Sequence, residues 1–276
     1  MLPWLYYRIE ISLMNITFLT IATFMLYLAV SAYQFWLLKK HDSRHIRLVA
    51  LLALVPLNTH GYLLHLLIDT DYGQNLSMIN IFSTSFWLIG IALVIASLMK
   101  KLEILVMAVF PVTAIVVLFT GFSDNRYFLD ASSTGYLLHI LIAIAALSIT
   151  SLAAIQSVFV NVLDNKLRQK PTQVNLALPA LQDMEKLLYL LVGIGFVLLT
   201  LAIITAIMFM PSGGDNFSLH KPVLSVASWL VLGTFLIGHY KKGWRGKTAV
   251  NWTMAGFILL FLAYFGTRTV LEYILG

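Results

Sequence analysis

The residues best able to do chemistry in this sequence are histidines. The chain has seven histidines and no cysteine, so thiolate metal sites and thiol nucleophiles are excluded. His239 ends a long apolar stretch beside basic residues, where an interfacial position explains it, and four further histidines lie within or at the ends of such stretches, namely His60, His65, His139 and His220. An ionisable side chain in such a stretch needs a partner or a function, because hydrocarbon does not solvate it. Neutral imidazole is a common ligand for iron, and this pattern therefore indicates a metal-containing cofactor.

The elements that must position these histidines are membrane-spanning helices. Hydrophobic residues make up 60% of the 276 positions and charged residues only 11%, whereas soluble domains average about 45–50% and about 25%. A helix needs about 20 apolar residues to cross a bilayer. The sequence contains eight such windows, at about 15–38, 46–68, 79–99, 102–122, 136–162, 187–210, 219–240 and 251–273. We predict an all-α, polytopic integral membrane helical bundle that forms a single membrane domain over residues 1–276.

The distribution of lysine and arginine predicts the orientation of this bundle. Fourteen of the 18 basic residues follow spans one, three, five and seven, and short loops rich in basic residues stay on the cytoplasmic side. Both the N and C termini are therefore predicted on the periplasmic or outer side. The net charge of +6 is a topology signal that predicts contact with membrane lipids and no nucleic-acid partner. The basic loop at 243–247 fits lipid phosphates, a cytoplasmic partner or simple solvation.

With this orientation the four histidines lie at similar depths. His60 falls about eight residues, or about 12 Å, below the outer boundary of span two, and His65 is closer to that boundary. His139 lies about one turn below the outer surface on span five, and His220 opens span seven at the same level. The spacing predicts a flat, apolar, iron-containing cofactor between helices, with His60 and His139 as the preferred ligands of the metal.

Each histidine also has a simpler interpretation. His60 could form a hydrogen bond between helices, and His65 could be neutralised by Asp69 four residues later. These two histidines are five residues apart, about 140° around a helix, so they cannot readily face one metal together. The small residues that follow His139 could make room for a planar ligand or allow close helix packing, and His220 could be a surface residue at a helix start.

Several segments together resemble one known family. They lie at 72–83, 137–139, 184–188, 220–229 and 263–268, and the most specific is Gly238-His-Tyr-Lys-Lys-Gly-Trp-Arg-Gly-Lys247. In these segments the chain resembles the membrane proteins of cytochrome c assembly, of the CcsA and CcmC type, and within them the HemX/YpjD branch. The resemblance implies a multi-pass protein of the bacterial inner (plasma) membrane that binds haem b at its outer face. The axial ligands it implies are His60 or His65, His139 and His220.

One departure from the family bears on function. Members that deliver haem to apocytochrome carry a tryptophan-rich outer loop between spans four and five, and here residues 123–135 contain no tryptophan. The resemblance thus implies an accessory, stabiliser or regulator of haem handling, with cytochrome-biogenesis or haem-synthesis proteins as partners. No set of acid, base and nucleophile is visible, so we do not expect an enzyme.

Two other functions are compatible with the sequence. A solute or ion permease could use the polar residues of span two, which are Asn58, His60, His65 and Asp69. A non-catalytic scaffold could instead act through the cytoplasmic segments 161–186 and 241–247.

Overall fold

A computed structural model describes residues 3–40, 46–70, 73–99, 103–123, 128–129, 134–169, 181–209 and 220–266. Side chains are described from residue 14 onward within these ranges, except at 46–47, 98–99, 103–104, 128–129, 134 and 220–221. The helices are α1 Pro3–Lys39, α2 Ile46–Ile68, α3 Met78–Met99, α4 Glu103–Gly121, α5 Thr134–Gln169, α6 Leu181–Phe209, α7 His220–Lys242 and α8 Lys247–Phe261, followed by a π-helical turn at Leu262–Gly266. Three short strands are β1 Asp69–Thr70, β2 Gly73–Asn75 and β3 Phe128–Leu129.

The helices confirm the predicted all-α, polytopic membrane fold. Among the described residues, seven helices are long and apolar enough to cross a membrane, and α4 contributes a shorter apolar helix at Leu105–Gly121. Each predicted span coincides with one helix, and α2 has the predicted ends. The orientation of the termini stays a prediction.

Most differences lie at helix ends, where the helix continues past the apolar stretch. Helix α1 begins at Pro3 rather than at residue 15, and α5 ends at Gln169 rather than at residue 162. The extension of α5 carries an i,i+4 pair, with Arg168 Nε 3.1 Å from Asp164 Oδ1, and such pairs support a solvated helix. Helix α8 begins at Lys247, and the predicted end of span eight at 267–273 lies outside the described residues.

The chain divides into two compact units, and the first comprises residues 1–130. In this unit α1 packs on α2 and α4, and α3 packs on the same two helices. Its buried core includes Tyr27, Leu57, Phe110 and Val117. The strands, which the sequence did not predict, form an antiparallel sheet in the order β1-β2-β3. The sheet thereby links the connection after α2 to the connection after α4.

The second unit comprises residues 131–276 and contains helices α5 to α8. Helix α5 packs along α6 and α8, and α7 packs on α6 and α8. The small residues of α5 are buried in these contacts, among them Ala143, Ala146 and Ala153. A Cβ at Gly195 of α6 would lie 2.9 Å from Thr150 Oγ1, so the backbones approach closely there, as small residues allow. The small-residue face therefore serves helix packing in this unit. The single membrane domain over residues 1–276 stays a prediction.

Candidate histidine site

His60 lies in the core of the first unit and joins three helices. Its side chain is fully buried, as are those of Tyr27 on α1 and Ser83 on α3. The Tyr27 hydroxyl lies 3.1 Å from His60 Nδ1, and Ser83 Oγ lies 3.0 Å from His60 Nε2. The Tyr27 ring also meets the imidazole edge-on. This arrangement is the hydrogen bond between helices that the sequence left as an alternative.

The two hydrogen bonds determine what the His60 ring can do. A neutral imidazole has one N–H donor and one nitrogen lone pair, and in either tautomer the lone pair accepts a hydrogen bond from the hydroxyl of Tyr27 or of Ser83. No lone pair is left for a metal while both bonds are made. Iron ligation by His60 would therefore require one of these buried hydrogen bonds to break, at a cost in free energy. Ligation by His60 stays a prediction.

His65 lies on a different side of α2. Its side chain is 64% exposed, and its Nδ1 lies 2.7 Å from Asp69 Oδ2. Asn58 is also exposed and donates to the Leu54 carbonyl of its own helix. The polar residues of span two therefore do not share one face, because His60 is buried while Asn58, His65 and Asp69 are exposed. The positions of these four residues therefore do not support a permease path along this span.

The His65–Asp69 pair is expected to contribute little to stability. Replacing His65 with glutamine should change the free energy of unfolding by less than about 1 kcal/mol, since exposed ion pairs are solvated and screened. Chemical denaturation in detergent, compared with Asp69→Asn, measures this. A loss of several kcal/mol in either variant would show that the pair has a partner beyond α2.

His139 lies one turn inside α5 and is half-buried against α6. Its Nδ1 lies 3.0 Å from the carbonyl oxygen of Ala202 and 3.1 Å from Thr205 Oγ1. The Thr205 hydroxyl itself lies within hydrogen-bond distance of the Leu201 and Ala202 carbonyls. Gly135, one turn earlier on α5, faces Phe209 so closely that a Cβ would lie 2.4 Å from its ring. The end of α6 thus fixes the position of the imidazole.

The partner of Nδ1 sets the tautomer of His139. A backbone carbonyl only accepts hydrogen bonds, so Nδ1 carries the proton and Nε2 has the lone pair. No hydrogen-bond partner for Nε2 is found among the described residues. An imidazole that donates one N–H to a carbonyl and leaves the other nitrogen free has the arrangement typical of metal-ligating histidines.

His220 is the first residue of α7, and its side chain lies outside the described set. Helix α6 ends at Phe209, close to the groups that bind His139, and α7 begins after the connection that follows. His220 therefore lies at the same end of the second unit as His139, as their predicted common depth requires. Ligation by either residue, like that by His60 and His65, stays a prediction.

The sequence missed the residues that orient these rings. Tyr27 and Ser83 are 33 and 23 positions from His60, so no local pattern connects them. For Thr205 a weak signal exists, because it is the only polar residue in the apolar run at 201–209. His239 was also set aside, yet its Nδ1 lies 3.0 Å from the Trp244 carbonyl and its ring stacks on Tyr189.

The fold and the site define an all-α, multi-pass membrane protein with an imidazole nitrogen available near one end of a helix pair. Residues 45–275 match the model of the family described as cytochrome C assembly protein. The chain belongs to this family.

Similar proteins agree with this assignment. The inner membrane protein YpjD of Escherichia coli strain K12 is 33% identical over 234 residues, which cover 83% of this chain and 88% of YpjD. The cytochrome c biogenesis protein CcsA of Crocosphaera subtropica is 30% identical over 100 residues, 36% of this chain and 29% of CcsA. No solved structure matches the chain. The predicted multi-pass location in the bacterial inner membrane is confirmed.

Proposed function

We propose that this protein binds haem b through His139 and acts as an accessory, stabiliser or regulator of haem handling in cytochrome c biogenesis. The observation that carries the proposal is the 3.0 Å contact between His139 Nδ1 and the Ala202 carbonyl oxygen, from which the tautomer follows. The Nδ1–H donates to this carbonyl, which leaves Nε2 with a lone pair that no described residue engages. His220, at the same end of the unit, is the proposed second ligand.

The donor set fits haem better than a bare metal ion. Among the described residues there is no group of three or more histidine, cysteine, aspartate or glutamate side chains that could hold an ion. Haem iron already has four ligands from its macrocycle and needs only one or two axial groups from the protein. Large apolar side chains are exposed beside His139, including Leu138 at 47% and Phe209 at 40%, as an apolar macrocycle would need. When bound, haem would supply an iron centre capable of electron transfer.

Family membership supports the biological setting of this proposal. One relative is named as a cytochrome c biogenesis protein. Cytochrome c biogenesis is the process that attaches haem to the cytochrome polypeptide. Residues 123–135 contain no tryptophan. In this segment the chain differs from the haem-delivering members of the family, whose outer loop is rich in tryptophan. A binding or regulatory role, without catalysis and without delivery to apocytochrome, therefore fits this chain best.

A visible absorption spectrum of the purified protein tests the proposal. The protein in mild detergent, titrated with haemin, is expected to develop a saturable Soret band, with sharp α and β bands after reduction. The double variant His139→Ala/His220→Ala should lose this band, while His65→Gln should retain it. A wild-type protein without a Soret band, or a double variant with an unchanged one, would overturn the proposal. Circular dichroism of each variant shows that the helices are intact.

A further inference from the structure

The connection between α7 and α8 carries a cluster of exposed positive charges. We call this cluster the basic patch, and its members are Lys241, Lys242, Arg245 and Lys247, all exposed. None of the four forms an ion pair with a described carboxylate. The patch lies between two helices that are candidate membrane spans, at Pro222–Lys242 and Lys247–Gly266. It therefore sits at the membrane surface, on the side predicted to be cytoplasmic.

Hydrogen bonds from two neighbouring helices fix the backbone beneath the patch. The Trp244 carbonyl lies 3.0 Å from Nδ1 of His239, which donates to it, and it also accepts from the Tyr189 hydroxyl at 3.3 Å. The Gly246 N–H donates to Glu185 Oε1 at 3.0 Å. The loop is thus tied both to α7 and to the start of α6.

Aromatic packing and backbone geometry fix the loop further. The Trp244 ring stacks on Trp252 with centroids 5.3 Å apart, and it lies against Gly238, where a Cβ would come within 2.4 Å of the ring. Gly243 and Gly246 have φ angles of 65° and 55°, a backbone conformation that glycine adopts without strain. The four cationic side chains therefore project from a preformed platform.

Two described carboxylates beside this platform, those of Glu185 and Asp164, already have partners. The Glu185 carboxylate accepts the Gly246 N–H. The Asp164 carboxylate lies 3.7 Å from where a Gly246 Cβ would be, and it pairs with Arg168 at 3.1 Å. Of these two carboxylates only Glu185 keeps an unbalanced negative charge, because Asp164 pairs with Arg168. Against the four positive charges of the basic patch, the described part of this surface is therefore net positive.

We propose that the basic patch binds the phosphodiester headgroups of anionic phospholipids in the adjacent leaflet. The patch is at headgroup height, and the two stacked tryptophans have the amphipathic character found at that level. Arginine matches a phosphate group with two parallel hydrogen bonds, and clustered lysines next to a membrane helix attract anionic lipid. This site is separate in sequence and chemistry from the proposed haem site, so either proposal can fail without the other.

Native mass spectrometry of the full chain released from nanodiscs tests this binding. In nanodiscs of equal phosphatidylglycerol and phosphatidylcholine, the wild type is expected to retain phosphatidylglycerol preferentially. The variant Lys241→Gln/Lys242→Gln/Arg245→Gln/Lys247→Gln should lose that preference by at least about fivefold. The matched control, with the same net charge, is Lys39→Gln/Lys40→Gln/Lys166→Gln/Lys186→Gln, and it should retain the preference.

Three results would overturn the proposal. Equal retention of both lipids by the wild type would show that the patch does not select anionic headgroups. An equal loss in the patch variant and in the control would show that only the net charge of the protein matters. Inorganic phosphate at millimolar concentration, added before release, is expected to leave the bound lipid in place, and displacement would assign the patch to a soluble phosphate instead. Thermal unfolding of both variants in phosphatidylcholine alone shows whether the fold is preserved.

Discussion

Replacing His60 with leucine is expected to lower the free energy of unfolding by about 1–3 kcal/mol, because it leaves the buried Tyr27 hydroxyl without a partner. Tyr27, His60 and Ser83 are all fully buried, and no other described group is hydrogen-bonded to the Tyr27 hydroxyl. Leucine fills much of the volume of the imidazole, so the lost hydrogen bonds dominate over any cavity. Reversible unfolding in mixed detergent micelles measures the change.

A double-mutant cycle separates the hydrogen bond from packing. Tyr27→Phe alone should cost less than His60→Leu, since the imidazole keeps its bond to Ser83 at 3.0 Å. The two substitutions together should show a coupling energy of at least about 0.5 kcal/mol, as expected for residues in contact. Strictly additive effects would show that the Tyr27–His60 bond contributes nothing to stability.

The same variant also distinguishes a structural histidine from a ligand. If the hydrogen bonds at His60 persist in the haem-bound protein, His60→Leu retains the Soret band and its midpoint in a haemin titration. A complete loss of haem in a folded His60→Leu variant would instead restore His60 to the ligand pair that the sequence predicted. Comparison with His65→Gln provides the baseline for a histidine outside the site.

The helices could be predicted from the sequence because hydrocarbon imposes their length. Helix α2 has the predicted ends because its helical residues, Ile46–Ile68, coincide with an apolar run that Asp69 ends. The end of α5 could not be predicted in this way, since hydropathy marks where the bilayer ends and not where the backbone hydrogen bonds of the helix end. The residues after position 162 are mostly good helix formers and continue these hydrogen bonds to Gln169.

Depth along a helix was predictable, but the direction of a ring and its partners were not. Counting residues placed His139 about one turn into α5, where the structure has it. Its tautomer depends on the Ala202 carbonyl, 63 positions away, and only the packing of α5 on α6 brings the two together. His60 shows the same limit more strongly, because its two partners lie on different helices. The short sheet β1-β2-β3 could not be predicted either, since strands of two or three residues leave no pattern in the sequence.

Replacing His139 with glycine is expected to abolish haem binding, and added imidazole should restore it. The substitution removes the Nε2 lone pair and leaves a space of about the size of the lost ring beside Ala202 and Thr205. Free imidazole can enter that space and donate to the same carbonyl. Titration with haemin, with and without about 10 mM imidazole, gives the amplitude of the Soret band for each state. If the His139 side chain only contributed to packing, added imidazole would not restore this band.

A second substitution tests how Nδ1 controls Nε2. Thr205→Val removes one of the two acceptors near Nδ1, at 3.1 Å, while the Ala202 carbonyl at 3.0 Å remains. Partners of the non-ligating nitrogen typically affect metal affinity by 10–100-fold, and with one acceptor kept we expect about 10-fold weaker haem binding. The matched control is Thr200→Val, on the same helix, whose hydroxyl donates to the Phe196 carbonyl and accepts from Trp229. Equal weakening in both variants would indicate general loosening of α6, whereas an effect confined to Thr205→Val would show that orientation of the His139 ring determines affinity.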